Sequence, residues 1–307
     1  MSSAITHAVI VNYRTPDLTA RAIERLRAGL LDDVKLSVTV VDNGSADGSA
    51  EWLQARFPDL DVLVSVRNLG FAGGNNLALR RILATRTSPR STEPEFVLLL
   101  NSDVEVQPDT VSTLTRFLVE NPDAGIVGPK IVLPDGRLDL ACRRGFPTPA
   151  RAFWKLTGIS RLFPRRARFT GYNLTHLPED ETADVDSVVG ACMLLRVEAI
   201  ESAGLLDEHF FMYGEDLDWA YRIKQHGWRV VYYPTTRVVH LKGATTRRQS
   251  YRMIIEFYRA MWLFHRKHYA SSALFLINWL VLAGIVARGT IAMLANAARP
   301  VAAKRVS

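Results

Sequence analysis

The chain has 307 residues, 48% of them apolar and 22% charged, and a formal net charge of +7. That length allows one large or two small domains around a sizeable core, and the composition excludes global disorder. Two cysteines, Cys142 and Cys192, exclude a disulfide scaffold or a cysteine-rich zinc site and fit a reducing compartment.

The first residues lack a basic segment followed by a long apolar run, so no signal peptide is expected and the bulk of the chain is expected in the cytoplasm. Residues 7–12 form an apolar run ending in Asn12-Tyr13-Arg14-Thr15-Pro16, the pattern of a buried strand. Over residues 17–31, Leu18, Ala22, Ile23, Leu26 and Leu30 recur at helical spacing. Residues 35–41 are β-branched and apolar and end in Asp42-Asn43-Gly44-Ser45. A helix is expected at 49–57, with Asp47 or Ser49 as its cap. A third strand at 62–66 ends in Arg67-Asn68-Leu69-Gly70, a helix covers 75–84, and a polar loop with two prolines covers 85–94. Residues 96–100 form an apolar strand ending in Asn101-Ser102-Asp103.

Alternation of strands and helices predicts a mostly parallel α/β sheet. Polar residues fall repeatedly at the strand C-terminal ends, where open α/β sheets bind ligands. On pattern alone the first hundred residues read as a nucleotide-binding half.

Further along, a helix is expected at 110–120 and a strand at 124–133 with a turn at 134–136. Residues 143–180 read as irregular, basic and aromatic. Strand character returns at 185–196, 229–233 and 237–240, and the chain turns helical from 250. Residues 269–287 carry no charge; Arg288 interrupts, and an apolar stretch continues to 298. Basic residues flank it: Arg266, Lys267, Arg299, Lys304 and Arg305. This pattern predicts an interfacial helical hairpin at a membrane; a buried helix pair or a subunit interface is the alternative.

The charge is uneven. Residues 143–168 hold eight Lys/Arg and no Asp/Glu, more than the whole net excess. Such a run fits a polyanionic partner: nucleic acid, an anionic membrane or a phosphate-bearing substrate.

Five clusters carry chemistry. Asp42 at a strand end can accept hydrogen bonds from a base or ribose, or simply close an Asx turn. The run Asn68-Leu69-Gly70-Phe71-Ala72-Gly73-Gly74-Asn75-Asn76 opens a helix with paired glycines that let backbone N–H groups approach an anion. It matches neither the P-loop nor the Rossmann fingerprint. Asp103 can bind a hard divalent cation shared with phosphates, or cap a turn. In Gly214-Glu215-Asp216-Leu217-Asp218-Trp219 three carboxylates lie within four residues, a setting for a general base or for a helix first turn favoured by its dipole. His240 ends the run Arg237-Val238-Val239-His240 and gains meaning with Asp103.

The order of these pieces resembles the inverting glycosyltransferases of family 2, and among them the rhamnosyltransferase-like members. The carrying motifs are Val9-Ile10-Val11-Asn12-Tyr13, Val41-Asp42-Asn43-Gly44-Ser45, the Asn68–Asn76 run, Leu100-Asn101-Ser102-Asp103, Gly190-Ala191-Cys192-Met193, Gly204-Leu205-Leu206-Asp207-Glu208, the cluster at 210–218 and Val239-His240. The resemblance implies a GT-A (Rossmann-like) fold: a mixed, mostly parallel sheet flanked by helices, followed here by C-terminal membrane-associated helices. It implies that Asn12 lines the nucleotide pocket, that Asp42 contacts the nucleobase or ribose, and that Asn68, Asn76 and Asn101 support the nucleotide sugar. Asn101-Ser102-Asp103 looks like the family's Asp-x-Asp position with the first carboxylate replaced. Asp103 and His240 are then the expected ligands of Mg²⁺ or Mn²⁺, and Asp216, beside Glu215, the expected base.

The implied reaction moves a sugar, L-rhamnose from dTDP-rhamnose being the first expectation, onto a lipid-linked or cell-envelope glycan. The basic aromatic stretch would rest on an anionic leaflet or hold a lipid-linked pyrophosphate. The expected place is the cytoplasmic face of the membrane, peripheral or C-terminally anchored, with no nucleic-acid partner. The expected division is a glycosyltransferase domain over 1–248, with a nucleotide-sugar half (1–105) and an acceptor half (106–248), and a membrane-associating region over 249–307. A UDP-sugar hexosyltransferase with a soluble acceptor, and a non-catalytic nucleotide- or nucleic-acid-binding module, are the alternatives.

Overall fold

Runs of leucine and β-branched residues build the centre of the molecule. The computed structural model describes residues 4–29, 34–85, 93–242 and 250–298. The far end of the helix expected at 17–31, most of the 85–94 loop, the division at 248 and the basic residues Arg299, Lys304 and Arg305 lie outside these. In chain order the elements are β1 (Ala4–Asn12), α1 (Pro16–Ala28), β2 (Val34–Asp42), α2 (Ser49–Arg56), β3 (Asp61–Val64), α3 (Gly70–Thr85), β4 (Glu95–Asn101) and β5 (Val104–Glu105). Then come α4 (Thr110–Glu120), β6 (Ala124–Val132), α5 (Pro149–Leu156), α6 (Ile159–Leu162), α7 (Ala167–Thr170), β7 (Ala183–Asp184), β8 (Cys192–Arg196) and α8 (Val197–Ala203). α9 (Glu215–Gln225), β9 (Arg229–His240), α10 (Ser250–His268) and α11 (Phe275–Ala297) complete the described chain.

All nine strands share one sheet, ordered β3-β2-β1-β4-β8-β6-β9-β5, with β7 on β9. β1 runs parallel to β2 and β4, β2 parallel to β3, and β6 parallel to β9. β8 enters antiparallel between β4 and β6, and the two-residue strands β5 and β7 add antiparallel to β9. The result is the mixed, mostly parallel sheet expected. In β4, Phe96 to Leu100 are all buried, as befits a strand covered on both faces. Each such leucine or valine removes enough apolar surface from water to contribute about 1.5–3 kcal/mol.

Several boundaries differ from expectation for local reasons. α3 begins five residues earlier, at Gly70, because the Asn68 Oδ1 accepts the Gly70 N–H at 2.8 Å. The strand expected at 185–196 shortens to β8, because residues 185–191 turn aside to bond the 144 and 216 regions. The two β runs after 229 form one strand, β9, with a register shift opposite Pro129 and Lys130. The 143–180 stretch holds three short helices, α5 to α7.

The expected pair of apolar helices broken at Arg288 is corrected. Arg288 lies within α11, which runs unbroken for 23 residues; arginine is a good helix former, so one charge does not interrupt the turn. The chain reverses earlier, around 269–274, and α11 packs against the amphipathic α10 rather than a second apolar helix. Asn278 serves that turn: it bonds His265 at 2.8 Å and the Ala270 carbonyl at 3.0 Å. α11 is long and apolar enough to cross a membrane, and little of it is buried in the protein.

Candidate functional site

The C-terminal ends of β1 and β2 bring Asn12 beside Asp42. Asn12 Nδ2 donates to Asp42 Oδ2 at 2.7 Å, and Thr19 donates to Asn12 Oδ1 at 2.9 Å. The other Asp42 oxygen accepts the Ser45 N–H at 3.0 Å, so the turn-closing arrangement is present. Both residues are buried. Asn43, not singled out from sequence, ties the neighbouring loop together: it donates to the Gly70 carbonyl at 2.8 Å and accepts the Leu69 N–H at 2.9 Å.

Gly70 has a φ of +75°, and a Cβ there would overlap the Phe211 carbonyl. At Gly74 a Cβ would meet Val11 and Asn43 at 3.1 Å. The room left by the paired-glycine run at these positions is therefore filled by protein packing. Asn76 faces the 206–208 loop: it donates to the Leu206 carbonyl and to Glu208 Oε1, both at 2.8 Å, and accepts the Leu206 N–H at 3.2 Å.

Asp103 and His240 are brought together by β5, which pairs Val104 with His240. His240 Nε2 lies 3.4 Å from Asp103 Oδ1, and His240 Nδ1 lies 3.4 Å from Asp139 Oδ2. Lys242 Nζ in turn bonds Asp139 Oδ1 at 2.8 Å. Burial works against a charged ring at His240, but the two carboxylates outweigh it and raise its pKa to about 9. Burial likewise opposes a charged Asp139, yet its bonds with His240 and Lys242 hold it well below the usual carboxylate range. Among the described residues no group of three His, Cys, Asp or Glu side chains is gathered to hold a metal.

Glu215 and Asp216 open α9 after the left-handed Gly214. Asp216 Oδ2 accepts from Arg144 Nη2 at 2.8 Å and from the Gly190 N–H at 3.0 Å; its Oδ1 accepts the Leu217 N–H at 2.7 Å. Arg144 also donates to the Val188 carbonyl at 3.0 Å, with the half-buried Tyr172 nearby. Glu215 is buried and its Oε2 has no hydrogen-bond partner. Burial, with the Asp216 charge beside it, raises its pKa well above the ordinary glutamate value.

The same loop connects Asp216 to the Asp103 strand. Gly190 donates to Asp216, and the next residue, Ala191, accepts the Asn101 N–H at 2.8 Å. Asp103 follows two residues later. Asp216 is thus linked through Gly190, Ala191 and Asn101 to the strand end that carries Asp103, and Asp103, His240 and Asp216 each have a few per cent of their surface exposed.

The basic stretch divides in the structure. Arg143 and Arg144 are buried, and Arg151 pairs with Asp186 at 2.7 Å. Lys155, Arg161, Arg165, Arg166 and Arg168 are exposed, together with Phe153, Leu162 and Phe163. Lys155 Nζ bonds Asn173 at 2.6 Å and stands 4.6 Å from the centre of the Tyr172 ring. Although the residue is exposed, partial desolvation by the surrounding protein, with Arg144, Arg161 and Lys242 nearby, lowers its pKa to about 8.

Arg144, Asp139 and Tyr172 were not individually legible in the sequence. Arg144 looked like one of eight similar cations, and Asp139 and Tyr172 sit in no motif.

Residues 4–254 match the family described as Glycosyltransferase like family 2. The chain is 29% identical over 247 residues to an N-acetylglucosaminyl-diphospho-decaprenol L-rhamnosyltransferase of Mycobacterium tuberculosis, covering 79% of each chain. Its fold is similar to S. aureus TarS 1-349 in complex with UDP-GlcNAc (TM-score 0.58, 16% identity, 94% of this chain and 72% of that one). It is also similar to the mannosyltransferase PcManGT of Pyrobaculum calidifontis in complex with GDP-Man and Mn²⁺ (TM-score 0.53, 18% identity, 99% and 78%).

Proposed function

This chain belongs to glycosyltransferase family 2 and has the GT-A fold, and on that premise we propose that it transfers L-rhamnose, with inversion, from dTDP-rhamnose to a lipid-linked glycan at the cytoplasmic face of the membrane. One chain of contacts supports the reading: the base candidate Asp216 bonds Gly190, the next residue Ala191 bonds Asn101, and Asp103, two residues further on, lies 3.4 Å from His240. An inverting transfer needs both groups on either side of one anomeric carbon.

Asp216 takes the proton of the acceptor hydroxyl as that oxygen attacks. Arg144 and the Gly190 N–H fix the carboxylate through Oδ2, which leaves Oδ1 the less encumbered oxygen for that proton. Asn12 and Asp42 form the floor of the nucleotide side, with Asn68 and Asn101 at the neighbouring strand ends.

The chemistry of Asp103 and His240 fits a hard divalent cation, Mg²⁺ or Mn²⁺. Asp139 engages Nδ1 of His240, so Nε2 is left facing Asp103, the outer-shell arrangement common around ligating histidines. A cation held there would neutralise charge on the departing nucleoside diphosphate. Its remaining ligands would come from that diphosphate and water.

The acceptor side is assigned to the exposed cations of α5 to α7, Lys155 above all, which would meet a lipid-linked diphosphate. Support comes from the similarity to the mycobacterial rhamnosyltransferase. α11 would anchor the chain: its 23 residues, at about 1.5 Å each, reach about 34 Å, enough for a bilayer core of about 30 Å.

A panel of nucleotide sugars, dTDP-rhamnose and UDP-hexoses among them, tests the reading by binding and slow hydrolysis with Mg²⁺ or Mn²⁺. Selective turnover of dTDP-rhamnose is expected. Preference for a UDP-hexose would replace the donor, and turnover of no nucleotide sugar would remove the reading.

A further inference from the structure

The composition of α10 assigns it to the membrane region, but its inner face belongs to the active-site scaffold. Asp218 is two residues beyond Asp216 in α9 and completely buried. Its Oδ2 accepts from Arg222 Nε at 2.9 Å within the same helix. Its Oδ1 accepts from two α10 side chains, His268 Nε2 and Lys267 Nζ, both at 2.8 Å. Lys267 also reaches Asp207 at 2.6 Å. Burial opposes a charged Asp218, yet these partners hold its carboxyl below the usual range.

Apolar packing reinforces the grip. Phe210, Leu217, Ala260 and Phe264 form a buried cluster between the α9 entry and α10. The His268 ring lies 4.1 Å from that of Tyr221 and 4.7 Å from that of Phe264. Both of those rings approach Phe146, at 4.9 and 6.3 Å, and Phe146 is two residues past Arg144. α10 therefore touches both chain segments that form the Asp216–Arg144 pair.

Residues two apart on a helix point about 200° from each other. Asp216 faces Arg144 and Gly190, while Asp218 faces α10, so the first turn of α9 is held from opposite sides. We propose that His268 and Lys267 are positioning residues for the transfer reaction: by closing on Asp218 they fix the first turn of α9 and, through it, the carboxylate of Asp216. This rests on the assignment of Asp216 as the base.

The test uses full-length protein with His268→Ala, His268→Gln or Lys267→Met. His268→Gln keeps a side-chain N–H donor; Lys267 is partly exposed, so Lys267→Met gives a second variant if His268→Ala does not fold. The first readout is amide exchange at Gly190, whose N–H is held by Asp216 and whose nearest side chains are Phe71 and Asp216 rather than α10. In His268→Ala or Lys267→Met the Gly190 amide is expected to exchange about 10-fold faster, local opening being what such exchange reports. His268→Gln should restore it. The second readout is turnover with the donor selected by the panel above: kcat falls about 10- to 100-fold while donor KM stays nearly constant, as expected for a misplaced catalytic group.

Unchanged Gly190 exchange in a folded His268→Ala or Lys267→Met protein would overturn the proposal, and so would faster exchange with an unchanged kcat. Failure of the base assignment looks different: Asp216→Asn would keep full turnover, while the exchange data would still report the link between α10 and α9.

Discussion

Asp216 Oδ2 and Arg144 Nη2 lie 2.8 Å apart across 72 residues of sequence. The pair is nearly sealed from solvent, which makes its two members unequal in mutation. With Asp216 as the proposed base, removing its charge would alter the chemistry, whereas removing Arg144 strands a buried carboxylate.

Asp216→Asn is therefore expected to lower kcat by about 10²- to 10⁴-fold, the usual contribution of a positioned base, while donor affinity measured by calorimetry stays close to that of the parent. Arg144→Ala is expected to lose about 3–5 kcal/mol of stability in denaturant titration, the cost of leaving a buried charge unpaired. A soluble, fully stable Arg144→Ala protein would refute the strut role of Arg144.

Glu215 gives a stability signature. Its pKa is raised in the folded protein, so the folded state binds the proton more tightly than the unfolded chain does. The resulting stabilisation is complete below the ordinary glutamate pKa and is lost as pH rises toward the folded value, at up to about 1.4 kcal/mol per pH unit. Glu215→Gln keeps the shape without the proton, so it should become the more stable of the two proteins as pH rises from 5 to 7. Parallel Tm curves over that interval would contradict the raised pKa.

The strands of the first half were legible because β1, β2 and β4 are apolar runs that end in polar turns, and burial on both faces writes itself directly into composition; their order in the sheet was not. The candidate site was legible as motifs, since Asp42, Asp103 and His240 follow apolar runs and Asp216 lies in an acidic cluster at the opening of a helix. Their partners were hidden from any such reading. Arg144 and Asp139 act through contacts across 72 and 101 residues, and nothing local distinguishes them from surface charges. The same limit explains α10: Arg266 and Lys267 read as a basic membrane flank, and only the fold reveals that Lys267, with His268, closes on Asp218. Arg288 misled in the opposite sense, because a charge in an apolar run looks like a break although helical backbone tolerates it.

The Asp103–His240 pair predicts a graded response to substitution. Ala at either position should abolish the Mg²⁺- or Mn²⁺-dependent part of nucleotide binding. Asp139→Asn, which leaves Asp103 and His240 in place but removes the carboxylate behind the His240 ring and its pair with Lys242, should weaken metal affinity by about 10- to 100-fold. Titration of each variant with Mn²⁺ by electron paramagnetic resonance, with nucleotide present, measures both. Wild-type affinity in both Asp103→Ala and His240→Ala would remove the metal assignment.

On α11, Leu276, Leu280 and Leu294 are each more than 60% exposed, an arrangement costly in water and natural in lipid. The full chain should co-float with vesicles containing anionic phospholipid, and Asp at these three positions should release it with little change in Tm. Flotation that survives the triple substitution would place the attachment elsewhere.

The proposed acceptor role of Lys155 gives a test by pH. Partial desolvation first, and then the nearby Arg144, Arg161 and Lys242, push its pKa down to about 8. A lysine so placed is charged at pH 7 and largely neutral by pH 9.5. If it meets an acceptor diphosphate, KM for a diphosphate-linked acceptor should rise as pH passes through about 8, because a charge-assisted hydrogen bond is lost. Donor KM should stay flat over the same range, since the proposed donor-diphosphate position is at Asp103 and His240. Lys155→Met should show the high acceptor KM at every pH and remove the inflection, and an acceptor analogue without phosphate should be insensitive to both changes. An inflection that persists in Lys155→Met, or that moves to donor KM, would assign the cation to another role.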